Sequence, residues 1–336
     1  MVGEQLASRF GVPRWLFTLS ATDANRTAIR IAREITGRPK VLVFSYCYHG
    51  SVDEALAVAG PDGRTVAREG NVGAPVDVAL TTRAIEFNDV DALEAALAPE
   101  DVALVLAEPA MTNIGIVPPA PGYHDALREL TRRHGTLLLI DETHTLSAGP
   151  GGCTREWGLE PDLVTVGKAI AGGIPAGALG LTADVVTRMF DAPGADFEDV
   201  GGVGGTLAGN ALSLTGARAA LREVLTEAAF EHAIAVADRL RAGVQETIDA
   251  HGLPWHVVQL GCRAEYRFAP APARNGTEAA AQGDPALERF LHLYALNRGV
   301  LITPFHNMAL CSGATPTSAA DRHTEVFAGA VEALLG

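Results

Sequence analysis

Residues 136–145 read TLLLIDETHT and residues 163–180 read LVTVGKAIAGGIPAGALG. In each, a short apolar run ends on a charged group, Asp141 in the first and Lys168 in the second. A brief aliphatic run bounded by turn residues is the pattern of a strand buried on both faces, as in a parallel sheet. Ligands of such sheets bind outside the carboxyl ends of the strands.

The same rhythm extends outward from these two stretches. Residues 24–36 (ANRTAIRIAREIT) have Ile29, Ala32 and Ile35 at helical spacing and stop at Gly37, with Pro39 beyond. KVLVFSY (40–46) then reads as a strand, DVDALEAALA (89–98) as a helix, VALVLAE (102–108) as a strand and GYHDALRELTRRHG (122–135) as a helix. ALGLT (178–182) is a further short strand. Helices alternating with apolar strands predict an α/β fold, a mostly parallel sheet with helices on both faces. Glu108, Asp141 and Lys168 then fall together at or just past strand ends.

After Thr206 the texture changes to two long helical patterns, 211–226 and 227–252. A strand pair is expected in 255–270, a helix in 285–299, a strand in GVLITPF (299–305) and a closing helix in 319–335, with Pro270–Asp284 as a polar loop. The expected division is a large domain over 1–217 and a smaller C-terminal α+β domain over 218–336. At 336 residues the chain exceeds what one core usually organises.

Hydrophobic residues make up 48% and the net charge is −14, which argues against nucleic acid and anionic membranes as partners. No apolar run is long enough to cross a bilayer. Cys47, Cys153, Cys262 and Cys311 are scattered, form no metal-ligand pair and suit the cytoplasm. Only two lysines occur, Lys40 and Lys168, so amine chemistry has two candidates.

Read alone, each candidate residue leaves two readings open. Lys168, between an apolar strand and a glycine-rich turn with Gly167, Gly172 and Gly173, is a desolvated nucleophilic amine or a surface lysine. Asp141 is the anion that keeps a pyridinium nitrogen protonated, or a cap or metal ligand. Ser20–Ala24 (SATDA) either holds a phosphate at a helix N-terminus or merely caps it through Thr22 or Asp23. Tyr48 and His49 of CYHG follow a strand, where an aromatic stacks on a ring or is simply half-buried. GGVGGT (201–206) is a second anion loop or a flexible one. Arg263 and Arg267 are candidates for a substrate carboxylate, and His306 and Asn307 for the pocket entrance.

Together, residues 108–145, PDLVTVGKAIAGGIPAGALG (161–180) and GGTLAGNALSLTGARA (204–219) resemble the class III aminotransferases. Residues 16–33 and CYHGSVD (47–53) match the family's phosphate-binding and stacking segments. The similarity spans nearly the whole chain and points to the glutamate semialdehyde aminomutase and β-amino acid transaminase branch. It implies the type I fold of pyridoxal-5'-phosphate (PLP) enzymes, with Lys168 as the Schiff-base and catalytic lysine and Asp141 as the partner of the pyridine nitrogen. It implies Ser20, Ala21 and Thr22 in the phosphate loop, Tyr48 as the stacking aromatic with His49 beside it, and Thr143 against the other ring face. His144 would lie near the 3'-oxygen and Glu108 opens the family's EP motif. Thr206 would be a phosphate ligand supplied by the neighbouring subunit, in a homodimer with shared active sites. The expected activity is transamination between an amine or amino acid and a keto acid, with an aminomutase as the alternative.

Three departures accompany the resemblance. Ala21 stands where many members have glycine, and Thr143 and His144 replace a more usual Val and a Gln or Met. Against the family pattern the chain starts inside the usual N-terminal segment, which contributes to substrate pocket and dimer interface. A truncated product, a misplaced start or an unusually short homologue is therefore expected, and a catalytically impaired homologue that binds cofactor or a partner subunit without turnover is the alternative to an active enzyme.

Overall fold

A computed structural model describes residues 1–73, 76–192, 202–303 and 306–336. Its strands are β1 (Arg14–Thr18), β2 (Lys40–Phe44), β3 (Ala57–Ala59), β4 (Thr65–Ala67), β5 (Thr82–Ile85), β6 (Val102–Ala107), β7 (Leu137–Asp141), β8 (Leu163–Val166) and β9 (Gly177–Leu181), followed by β10 (His256–Leu260), β11 (Arg263–Arg267) and β12 (Met308–Leu310). The helices are α1 (Val2–Phe10), α2 (Ala21–Thr36), α3 (Val90–Leu97), α4 (Tyr123–Arg133), α5 (Gly152–Glu156), α6 (Ala183–Asp191), α7 (Ala211–Ala219) and α8 (Glu227–Ala250), then α9 (Gly276–Ala281), α10 (Pro285–Leu296) and α11 (Thr317–Leu335).

Seven strands form the main sheet in the order β1-β9-β8-β7-β6-β2-β5. From β8 to β5 all neighbours are parallel, whereas β9 runs antiparallel to both β8 and β1. Successive residues of a strand point to opposite faces, and the core divides accordingly. Val41, Val43, Leu137 and Leu139 pack with Ala24, Ala28 and Ala32 of α2 on one face. Leu42, Phe44, Leu138 and Ile140 pack with Leu93 of α3 and Leu127 of α4 on the other. Both faces are buried, so these strands read as continuous apolar runs rather than alternating ones.

The C-terminal part has its own three-stranded sheet, β10-β11-β12, and a separate core in which Val236, Leu240 and Val244 of α8 meet Phe327 and Val331 of α11. Three expectations are corrected here. GVLITPF is not a strand over its described residues: Val300 and Ile302 face this core while Leu301 is 81% exposed, and the edge beside β11 is taken by β12. Pro304 and Phe305 of that stretch lie outside the described residues. The polar stretch Pro270–Asp284 contains α9, capped by Asn275, whose Ala279 packs against the main sheet's core. The helix expected over 211–226 gives way after Ala219 to a π-turn at Ala220–Val224.

α1, β1, the β3–β4 hairpin, β5, α5 and α6 lie outside the elements expected from the sequence, although Val2, Leu6 and Phe10 of α1 recur at helical spacing. Among the described residues no helix is long and apolar enough to cross a membrane.

Candidate active site

The carboxyl ends of β2, β6, β7 and β8 open on one cavity of about 380 Å³. It is lined by Ser20, Ala21, Thr22, Tyr48, His49, Glu108, Asp141, Thr143, His144 and Lys168, ten of the eleven residues expected at the site. The eleventh, Thr206, is exposed in the turn before α7 and lines neither this cavity nor the one that adjoins it. Gly201 of the same glycine run lies outside the described residues.

Asp141 ends β7 and is 3% exposed. Its Oδ2 accepts from Asn25 Nδ2 (2.9 Å) and sits 2.8 Å from His49 Nδ1, and its Oδ1 accepts from the Thr143 N–H (3.0 Å). Burial alone would raise its pKa, but His49, Thr143 and Asn25 outweigh that and hold it at about 2. Burial likewise opposes a charged His49, while the nearby Cys47 sulfur and the Asp141 carboxylate raise its pKa well above the ordinary value. Asp141 is therefore a buried anion, braced by the His49 ring at its Oδ2. Asn25 escaped the sequence reading. Its only signal was an amide on the otherwise apolar face of α2, beside Ala24, Ala28 and Ile29, where a buried polar group needs a partner.

Lys168 follows β8 and has φ +50°, a left-handed conformation uncommon for any residue with a side chain. Its side chain opens onto the cavity, and the desolvation expected of it is partial. Partial burial still lowers its pKa; Asp141 and Glu108 oppose this, and Arg263 adds to it. Gly172 and Gly173, with φ +61° and +96°, complete the turn. At Gly167 a Cβ would lie 3.0 Å from Ala21 Cβ, so the glycine makes room for the Ala21 methyl.

The cap of α2 is Ser20, rather than Thr22 or Asp23. Its hydroxyl accepts from Asp23 N–H (3.2 Å) and donates to Asp23 Oδ2 (2.9 Å). The N–H groups of Ala21 and Thr22 head the helix and have no intrahelical acceptor. The loop is closed from above by Gly50, at φ +83°, where a Cβ would stand 1.9 Å from Thr22 Oγ1. The second carboxylate of the DE pair, Glu142, faces away from the cavity. It is fully buried and accepts from the hydroxyls of Thr145 and Thr154 and from the N–H groups of Cys153 and Thr154.

A second cavity of about 580 Å³ adjoins the first and shares Tyr48, Thr143, His144 and Lys168 with it. Leu146, Val224, Leu225, Phe230, Met308 and Leu310 make it largely apolar, with Arg263 and His306 on its wall. Arg263 donates to Thr112 O (2.6 Å) and to buried Glu265 (3.2 Å), which also contacts His306 Nδ1. Arg267 instead donates to Ala279 O, and buried Asn307 lines neither cavity.

The fold and this constellation define a class: an α/β protein with an amine and a fixed anion at the ends of adjacent parallel strands. The sequence matches the family model "Aminotransferase class-III" over residues 1–335, and the chain belongs to that family. It carries the type I fold of PLP-dependent transferases. Among solved structures it is similar to a glutamate-1-semialdehyde-aminomutase variant from Pseudomonas aeruginosa PAO1 in complex with PMP, at 50% identity and TM-score 0.95 over 98% of this chain and 74% of that one. An omega-transaminase from Sphaerobacter thermophilus is 30% identical with TM-score 0.88, covering 100% of this chain and 78% of the other. A glutamate-1-semialdehyde 2,1-aminomutase from Thermomicrobium roseum is 37% identical over 291 residues, 86% of this chain. The chain spans 66% of that relative's length, just under two thirds.

Proposed function

We propose that this chain binds pyridoxal 5'-phosphate and moves an amino group between an amine or amino acid and a keto acid. The observation that carries this reading is the pairing of Lys168 with the buried Asp141 anion across one cavity. The residues fit the cofactor. Thr143 Oγ1 is buried without a hydrogen-bond partner among the described residues, and the N–H groups heading α2 suit a phosphate. Pyridoxal phosphate, when bound, supplies a carbonyl that condenses with amines and a ring that accepts the electron pair released at the substrate carbon.

Asp141, ionised at neutral pH and braced by His49, Asn25 and Thr143, holds a proton on the ring nitrogen. Lys168, its pKa lowered, would hold the cofactor through its amine, give it up to an incoming amine and, once freed, take and return a proton at the substrate carbon. Tyr48, 43% exposed on the cavity wall, gives the ring an aromatic face to lie against. Thr206 completes the phosphate site of a partner subunit in a homodimer. The buried, unpaired thiols of Cys47, Cys153, Cys262 and Cys311 suit a cytoplasmic protein.

The apolar second cavity beside Lys168 favours transfer to and from an amine with an apolar substituent. A second reading is an aminomutase, which shifts the amino group within one molecule; the relatives of that name at 50% and 37% identity favour it. The chain mixed with pyridoxal phosphate and borohydride should be labelled at Lys168 and not at Lys40, and Lys168→Ala should abolish the label. A label elsewhere would overturn the assignment. Turnover that requires added pyruvate marks a transaminase; turnover of one amino compound without acceptor marks a mutase.

A further inference from the structure

We propose that Glu108 and Thr112 hold His144 in the tautomer that carries its proton on Nδ1, so that the ring offers Nε2 to the cavity as a proton acceptor. His144 Nδ1 lies 2.6 Å from Thr112 Oγ1, and the same hydroxyl contacts Glu108 Oε2. A hydroxyl has one proton to give to these two neighbours. Glu108 is 4% exposed, and its Oε1 has no partner among the described residues. Lys168 lies within its electrostatic reach. A carboxylate at this place has lone pairs and no proton. Thr112 must then donate to Glu108, and its oxygen lone pair is left to accept N–H from His144 Nδ1.

The consequence falls on the other ring nitrogen. His144 lines both cavities, and its Nε2 makes no hydrogen bond among the described residues. With the proton fixed on Nδ1, Nε2 carries the lone pair. The ligand group matched at this point is a hydrogen-bond donor, a hydroxyl or an ammonium, and a carboxylate or phosphate oxygen is disfavoured. His144 is thus a second acceptor beside Lys168 on the cavity wall, and Thr112 and Glu108 are positioning residues that act through it. The inference rests on the proposed function only in treating this cavity as the place of reaction.

The tautomer is measured on the full 15N-labelled chain without cofactor, so its outcome is separate from that of the borohydride experiment. Long-range 1H–15N correlation is recorded about two pH units above the ordinary histidine value of about 6.5. Among the ten histidines, the His144 signals are those lost in His144→Gln. The expected pattern is a protonated Nδ1 and a bare Nε2. Thr112→Val should remove the preference and Thr112→Ser should restore it. Should Thr112→Val not fold, Thr112→Ala, which also lacks the hydroxyl, takes its place and should likewise remove the preference. A protonated Nε2 in the unmodified chain overturns the proposal. So does an Nδ1–H form that survives Thr112→Val or, in its place, Thr112→Ala.

Discussion

At the scale of single residues, the His49–Asp141 pair links stability to pH at both ends of the range. Asp141 is held at about 2, below its unbound value of 3.8, so its contribution is complete above about pH 4 and is lost as pH falls toward 2. His49 is raised, so its contribution is complete below about pH 6.5 and is lost as pH rises through the folded value. His49→Gln should therefore lower Tm most near pH 6, with the difference from the unmodified chain shrinking as pH rises through the folded value. A difference in Tm that stays constant over that interval would remove the pair as its source. Thermal melts at a series of pH values decide the matter.

At the scale of elements, the site depends on how closely the turns after the strands approach one another. Gly50 combines a left-handed φ with a Cβ position 1.9 Å from Thr22 Oγ1. Gly50→Ala should cost about 2–4 kcal/mol, part backbone strain and part overpacking, read as a lower urea midpoint. It should also weaken cofactor capture, because Thr22 must move. Glu142 organises a neighbouring turn and tests the division of labour within the DE pair. Glu142→Ala would leave the buried donors of Thr145, Cys153 and Thr154 without an acceptor, costing about 3 kcal/mol or more. The folded fraction should still be labelled at Lys168 by borohydride. Loss of labelling in folded protein would show that Glu142 serves the cavity directly.

At the scale of the whole molecule, the site joins two bodies of structure. The first cavity belongs to the main sheet, while the second is closed by Arg263, Met308 and Leu310 of the C-terminal sheet and by α8 through Phe230. We propose that the small domain begins near Arg218, just before the π-turn that leads into α8. The proposed homodimer predicts a sedimentation mass of twice the 35.0 kDa chain, 2 × 35.0 = 70.0 kDa. If Thr206 serves the partner's phosphate, Lys168→Ala and Thr206→Asp chains should each be inactive alone. Refolded together in equal amounts they should recover about a quarter of full activity, since half the dimers then hold one intact site of two. No recovery from mixed dimers of correct mass would remove Thr206 from the site.

The class of fold was legible in residues 136–145 and 163–180 because strands buried on both faces leave an unbroken apolar run, and because each run ends on a charged group. The family motifs then named ten residues that the structure brings to one cavity, since those residues sit at strand ends whose order follows from the chain. Other features had no such local signal. β9 lies antiparallel between β8 and β1, and its five residues look like those of any buried strand. Asn25 is distinguished from an ordinary helical asparagine only by Asp141, 116 positions away. Gly167 and Ala21 are matched to each other across two turns, and Glu142, one residue past the end of β7, turns to the donors of Thr145, Cys153 and Thr154 instead of the cavity. Sequence periodicity determined which residues are buried and where strands end; only the tertiary structure decided which distant groups meet, because partners far apart in the chain leave no periodic trace in either segment.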